Sequence, residues 1–553
     1  MIHKRLLDHF TQNNIISDRQ AAYLKGDSTI SQLLYIIDLI RKSWGKGCIT
    51  QGIFLDVSAA FDKCWHKGIL AKLQQAKVDG TCLDLFTSYL ENRQQCTVVD
   101  NMKSKMKNVT AGVPQGSKLG PLLWILYCND IVKDIESEIL MFADDTCCFV
   151  SGFDPAETAI ILNRDLKRID DWSKKWKVTF NPGKSKDMIF SQRKILSNSP
   201  PLIFNEIFVE RVHEHKHLGI YLSSNLSWAR QIHETCLKAN RKLAVLRTVK
   251  YLKRSTLDIL YKVCVRSTLE YGLVIYYHSL TLPQAARLSQ IQYRAAKLCT
   301  GALHFTNQVK LETDLAWESI ADRAKFLGLN IFHKIHCHET RPLIRKCMPQ
   351  LNSGNTRAQG TYVKPKFVSV GMSNSFFPKF AELWSILDKS TRSSDIPDFK
   401  SKVKLTLKPK RQKHFSAGNK YANSLHCRLR LGRSFLNSHG FAINLTTTDK
   451  CSFCNKPETV KHYFFSCTKF KDQQNTLLAS VLLIFPEFSK KSIENKLQAL
   501  LYGIFLNAPE PDPRNRIIAF RVQDFILQTG RFSKAFKPGP FQPIPPPPPP
   551  PLP

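Results

Sequence analysis

No run of about 18 uninterrupted apolar residues occurs in the 553-residue chain, so the sequence offers no membrane-spanning helix. The opening MIHKRLLDHFTQNN lacks the apolar segment and small-residue cleavage site of a secretory signal, and an intracellular protein is expected. Acidic residues are scarce. Against 80 Lys and Arg stand 45 Asp and Glu, a net charge of +35 that points to a polyanionic partner, most simply nucleic acid. A basic amphipathic anchor is also missing, which disfavours an anionic membrane surface as that partner. Neither a GxSxG elbow nor a P-loop is present, so serine-hydrolase and P-loop chemistry have no support. No internal repeat is visible. Cysteine is plentiful at 16, yet Cys82, Cys128, Cys147, Cys148 and Cys264 lie in apolar segments like small buried hydrophobes, and reduced thiols are expected.

What the chain does have begins with Asp144 and Asp145, side by side in ILMFADDTCCFV. Two carboxylates at the tip of a strand-turn-strand segment repel each other, and the apolar flanks exclude water, so a cation is expected there. A solvated Asp-Asp turn is the plainer alternative. A third carboxylate, Asp56, closes the apolar run GIFLDVSAAFD. Three carboxylates at strand ends suit hard divalent cations, which prefer oxygen ligands and can clamp the attacking and leaving oxygens of phosphoryl transfer. Phe61, five residues on, is either a core aromatic or a side chain beneath a metal-held substrate. Asp62 reads as a helix cap or a solvated residue. The loop GVPQGSKLGP brings Gly112, Gly116 and Gly120 together with Gln115, allowing close backbone approach to a ligand beside an amide that both donates and accepts.

The coarse pattern is α+β. Spacing predicts a helix over 29–40, a buried strand ending at Asp56, mostly helix over 58–97, an apolar helix from about Pro121, and the aspartate hairpin. Asp154 and Pro155 open another helix with Leu162, Leu166, Ile169 and Trp176 on one face. KVTFNPGKSKDMIF gives two β-rich runs around a turn, and HKHLGIYL one short strand. Beyond Trp228 the segments HETCLKANRKLAVLRTVKYL and TLDILYKVCVRSTLEYGLVIYY read as long helices. Residues 346–420 read as a basic, irregular linker. His333, His336 and His338 match no standard metal set and read as packed or solvated.

The ordered series FLDVSAAFD, AGVPQGSKLGP, FADD, NPGKSK and HKHLGIYL resembles the palm motifs of reverse transcriptases, in the wording of non-LTR, LINE-like (Jockey-type) retrotransposons. The later segments RSTLEYG and ESIADRAKFLGL also resemble such elements. The resemblance implies a right-hand polymerase palm with partial fingers over 1–222, a helical thumb over 223–345, the basic linker over 346–420, a zinc-knuckle region over 421–475, a C-terminal helical segment over 476–530 and a proline-rich tail over 531–553. It implies an RNA-directed DNA polymerase with Asp56, Asp144 and Asp145 as catalytic ligands of two magnesium ions. Phe61 becomes a gate against a ribose 2′ hydroxyl, and Gln115 and Gly116 a nucleotide and template contact. Lys184 is implied near the departing pyrophosphate, Lys25 near the triphosphate, and Leu218 to Leu222 as a primer grip. The implied partners are RNA template, DNA primer or target, and dNTPs, in a nuclear or cytoplasmic ribonucleoprotein. A fingers tract like YRPISLL that usually leads this family is missing ahead of Met1, and Ala21, Ala22 and Tyr23 depart from its pattern, so a truncated copy is expected. The competing reading is a catalytically impaired remnant that only binds nucleic acid.

A second site is spaced C-x2-C-x7-H-x4-C: Cys451, Cys454, His462 and Cys467. Three thiolates and an imidazole suit one structural, tetrahedral zinc ion. Lys450, Lys456, Lys461, Lys469 and Lys471 surround it, so the knuckle is expected to touch nucleic acid. The cluster KPKRQKH fits either a nuclear signal or an RNA contact, and PIPPPPPPPLP a polyproline II tail.

Overall fold

The computed structural model describes residues 1–193, 199–352, 361–363, 370–407, 418–504 and 512–533. The KPKRQKH cluster and the proline run lie outside the described residues. The chain divides into two compact units, one of residues 1–234, 272–284 and 324–403, the other of residues 235–271, 285–323 and 404–553. The fold is mixed α and β, as expected.

The first unit is built around the strand Ile49–Leu55, every residue of which is buried. It is buried because it lies in the middle of a five-stranded sheet ordered Glu210–Arg211, Lys186–Phe190, Ile49–Leu55, Asp145–Gly152, Glu138–Phe142. Neighbours run antiparallel except at the Glu210–Arg211 edge, which is parallel. Alternation sends Ile53 and Leu55 to a core shared with Ile139, Met141 and the helices Leu119–Tyr127 and Pro155–Trp176. Phe54 points the other way, its ring 5.7 Å from that of Phe149 and 4.4 Å from that of His215. Gly52 is required there, since a Cβ would stand 2.5 Å from the Phe149 ring. Pro155–Trp176 starts as read, with the Asp154 carboxylate accepting from the Ala156 amide and Leu162, Leu166, Ile169 and Trp176 buried.

Four stretches differ from expectation. Residues 58–62 form a turn rather than a helix, with Ala59 left-handed at φ 51°; helices follow only at His66–Gln75 and Gly80–Leu90. HKHLGIYL is a hairpin rather than one strand: Glu214–His217 pairs with Ile220–Ser223 across a turn whose residues Leu218 and Gly219 have φ 45° and 82°. TLDILYKVCVRSTLEYGLVIYY is several short helices, interrupted where Gly272 takes φ 67°. The presumed irregular linker contains the helices Phe376–Ile386 and Ile396–Leu407. Phe376, Phe377, Phe380, Ala381 and Trp384 form a buried stripe there, and Trp384 packs 5.7 Å from the ring of Phe332. A local scan of a basic stretch does not show that partner. His333, read as packed or solvated, is packed: its ring lies 3.9 Å from that of Phe399.

In the second unit one core joins Leu425, Leu429, Cys451, Tyr463, Phe464 and Cys467 to Val481, Leu500, Val522 and Phe525. The Cys/His segment and the helices after it, Lys471–Ile484, Ile493–Tyr502 and Arg514–Gln528, thus fold on the same hydrophobic centre. Arg254 and Arg430 converge on buried Asp314 at 2.7 and 2.6 Å. Burial alone pushes that carboxyl upward, and the two guanidinium groups reverse it, holding the group below its ordinary range. All sixteen cysteines are free thiols. Among the described residues no helix is long and apolar enough to cross a membrane.

Candidate functional site

The sheet register decides where the three aspartates stand. Leu55 pairs with Thr146, so one step further along the antiparallel ladder brings Asp56 opposite Asp145. Phe142 pairs with Asp145, leaving Ala143 and Asp144 as a two-residue turn at the tip of the hairpin. Sequence positions almost ninety residues apart are thereby joined at one end of two adjacent strands. Asp145 is open to solvent as a residue, yet its carboxyl is pushed up to about 6 by loss of solvation, then by the charges of Asp144 and Asp56. Among the described residues no Lys or Arg pairs with any of the three. An unneutralised set of carboxylate oxygens is the donor chemistry of a hard divalent cation, so the residues present fit magnesium.

The tip is held in a strained conformation from outside the hairpin. Ala143 is left-handed at φ 58°, which a non-glycine residue adopts at a cost of about 1–3 kcal/mol. Buried Gln20 offsets this: its Oε1 accepts from the Ala143 amide and from the Ala22 amide, each at 3.0 Å. The Ala21 amide donates to the Met141 carbonyl and the Met141 amide to the Arg19 carbonyl, so residues 19–21 act as an extra rung beside the hairpin. Tyr23 follows; burial, then the charge of Asp144, raises its phenol above the ordinary value. Asp56 is braced from the other side. The Asn181 amide donates to the Asp56 carbonyl at 2.8 Å, and the Asp56 amide donates to Ser185 Oγ at 3.3 Å. The turn Asn181–Lys184 therefore leans on the strand end, with Lys184 exposed.

Phe61 and Gln115 belong to one frame. The Val113 amide donates to the Phe61 carbonyl and the Gly112 amide to the Cys64 carbonyl, each at 2.8 Å. Gly112, at φ 91°, is needed for this approach, because a Cβ would stand 2.7 Å from the Asp62 carbonyl oxygen. Gln115 Nε2 donates to Asp62 Oδ1 at 2.8 Å, giving Asp62 a task that the cap or solvation reading did not foresee. The Phe61 ring is half-buried against Trp124 at 5.9 Å, and Gly116 is exposed at φ 78°. Lys25 lines a cavity of about 490 Å³ with His338, Arg341 and Arg345, and none of the three aspartates is among the lining residues.

The Cys/His set is tighter. The ligand atoms of Cys451, Cys454, His462 and Cys467 all lie within 4.8 Å of one another. The Cys451 amide donates to the Lys456 carbonyl and the Asn455 amide to the Cys451 carbonyl, making the turn that turns both thiols inward. Thr459 caps the short helix Val460–Phe465 that supplies His462. Burial raises the Cys454 thiol, but hydrogen bonds with the Thr468 hydroxyl and amide and with the Cys467 and Cys451 thiols together outweigh it and bring the group to about 7. His462 Nε2 is buried without a hydrogen-bond partner, as a nitrogen meant for a metal would be. The residues fit zinc. Behind them Arg531 makes two hydrogen bonds of 2.7 Å to Glu458.

The sequence reading missed Gln20, Asn181 and Ser185, which brace the aspartates, and Thr468, which tunes Cys454. Polar side chains of this kind carry no spacing signal; only Asn181, inside the Asn-Pro-Gly turn, was within reach of a motif.

A reverse transcriptase (RNA-dependent DNA polymerase) family model matches residues 1–233. The chain is 26% identical over 350 residues to the probable RNA-directed DNA polymerase from transposon X-element of Drosophila melanogaster, covering 62% of this chain and 38% of that protein. It is 25% identical over 353 residues to the RNA-directed DNA polymerase from mobile element jockey of Drosophila funebris, covering 61% and 38%. The chain thus spans less than two fifths of the length of these curated relatives. A solved telomerase from Candida Tropicalis with a TWJ fragment of telomeric RNA aligns at a TM-score of 0.33 and 9% identity over 72% of this chain and 56% of that chain, too distant a likeness to carry weight.

Proposed function

We propose, from the premise that residues 1–233 form a reverse transcriptase domain related to those of jockey-type non-LTR retrotransposons, that this chain is an RNA-directed DNA polymerase extending a DNA primer on an RNA template. One observation carries the reading: the register that sets Asp56 opposite Asp145, with Asp144 at the adjoining turn. Bound to these carboxylates, two magnesium ions would supply an activated primer 3′ hydroxyl and a countercharge for the incoming triphosphate. The protein's part is positioning. Asp56 and Asp145 are rooted in buried neighbouring strands, and Gln20 and Asn181 fix the backbone on either side, so the carboxylates are set before substrate arrives.

In this reading Phe61, backed by Trp124, bars a ribose 2′ hydroxyl, while Gln115 and Gly116 meet the nucleotide and template. Lys184 faces the departing pyrophosphate and Lys25 is a triphosphate contact. Fingers and palm are assigned to 1–222 and the thumb to 223–345. One structural zinc ion sits in the Cys451, Cys454, His462 and Cys467 set, and its surrounding lysines touch RNA or the DNA target. The protein works as an intracellular ribonucleoprotein with its template RNA and dNTPs.

The test is template-directed dNTP incorporation on a primed RNA with magnesium. Asp56→Asn should abolish extension and leave RNA binding largely unchanged. Extension undiminished by that substitution would refute the assignment, and a wild-type chain that binds RNA but never extends would favour the remnant.

A further inference from the structure

Between the helix Gly80–Leu90 and the Gln115 loop the chain makes a two-stranded ribbon that no core supports. Gln94 pairs with Asn108, Gln95 with Lys107, Val98 with Lys103 and Val99 with Met102. The turn residues Asp100 and Asn101 have φ 46° and 64°, both left-handed, as the tightest hairpin turn requires. Every residue from Thr97 to Asn108 is exposed, and Val98, Val99, Met102 and Met106 are 54, 63, 76 and 57% accessible. A two-stranded hairpin with bare apolar side chains is marginal in water unless something packs on it.

Its charge is mostly of one sign. Arg93, Lys103, Lys105 and Lys107 face only one acid, Asp100, within residues 93–108. Among the described residues none of these four cations forms an ion pair. The ribbon is also tied to the candidate active site. The Val109 amide donates to the Arg93 carbonyl at 2.8 Å and closes its base, and Ala111 bridges to Trp65. The next two amides, those of Gly112 and Val113, are the ones bonded to the turn that carries Phe61. We propose that the Gln94–Asn108 ribbon binds the phosphodiester backbone of the nucleic acid being copied. Lys103, Lys105 and Lys107 meet phosphates while Val99 and Met102 at the tip contact sugar and base edges. The base of the ribbon leads through Ala111 into the Gln115 loop. The proposal rests on the polymerase reading only for which nucleic acid is bound.

The test is equilibrium binding of the full chain to a labelled RNA/DNA hybrid and to single-stranded RNA across roughly 50 to 300 mM salt, comparing wild type with K103Q/K105Q/K107Q. The substitutions are solvent-exposed, and unchanged thermal melting verifies the fold. About 10- to 100-fold weaker binding near physiological salt, with the log–log salt slope smaller by about 2 to 3, is expected. Loss on the hybrid alone identifies the paired template–primer as the source of the phosphates, and equal loss on both identifies the unpaired template. Unchanged affinity and slope overturn the proposal. So does a change of mass in solution with binding intact, which makes the ribbon a protein contact. Primer extension, assayed separately, can fail without altering these readouts, so the two readings fall independently.

Discussion

Asp144 and Asp145 stand at a hairpin tip whose carboxylates have no cationic partner among the described residues, whereas Cys451, Cys454, His462 and Cys467 close around one point with a hydrogen-bonded shell behind them. The first site is open, charged with one sign and held in a strained turn. The second is mostly buried within its own core. On the proposed reading, the difference follows from what each site would do. A site that exchanges substrates keeps its ligands accessible and tolerates repulsion, while a structural site shuts its ligands away.

The comparison breaks most sharply at Asp145. Asp145→Asn should lower extension by roughly three orders of magnitude or more, the scale of removing a group needed in the transition state, and yet leave metal-free melting unchanged or raised, because repulsion is relieved. A lowered melting temperature would show that the carboxylate stabilises the fold and contradict the picture of a frustrated site. The pH dependence has a definite sign. Asp145 has a folded value of about 6, above its ordinary range, so between about pH 4 and 6 the folded protein holds more protons than the unfolded chain. Metal-free stability therefore falls as pH rises through that window. Magnesium competes with the proton, so its affinity, followed by calorimetry, should weaken by up to about tenfold per pH unit below 6.

At the closed site the expectation is reversed. Cys467→Ser should leave chemistry at Asp145 untouched in principle but cost about 3–5 kcal/mol of stability and the bound zinc, measured by denaturation and metal analysis of the purified chain. Full stability with no stoichiometric zinc in the wild-type protein would mean that the core alone holds this segment. Gln20→Ala probes the brace rather than the carboxylates. Leaving the buried Ala143 and Ala22 amides without their acceptor should cost about 1–3 kcal/mol and reduce extension as the turn loosens. The smallest effect is expected for Phe61→Val, which loses a ring contact with Trp124 of about 1 kcal/mol and should relax discrimination against ribonucleotides. Unchanged sugar selectivity would leave Phe61 as packing alone.

Much of this was legible before the fold was known. The apolar run ending at Asp56, the paired aspartates between apolar flanks, and the Cys/His spacing are all local patterns, and local patterns survive in sequence. What escaped were features set by distant partners. HKHLGIYL reads as a strand until Leu218 and Gly219 are seen to turn it, packing His215 against Phe54. FFPKFAELW lies in a basic stretch, and its helix becomes obvious only with Phe332 opposite.

By itself the sequence determined which residues are candidates for the proposed chemistry, and the net charge of +35, because side-chain type and spacing are written directly in it. Only the tertiary structure decided that Asp56 faces Asp145, that Gln20 holds the strained Ala143, and that a basic ribbon springs from the frame of Phe61 and Gln115. Strand register and buried hydrogen bonds depend on which remote segments meet, and no local pattern encodes that.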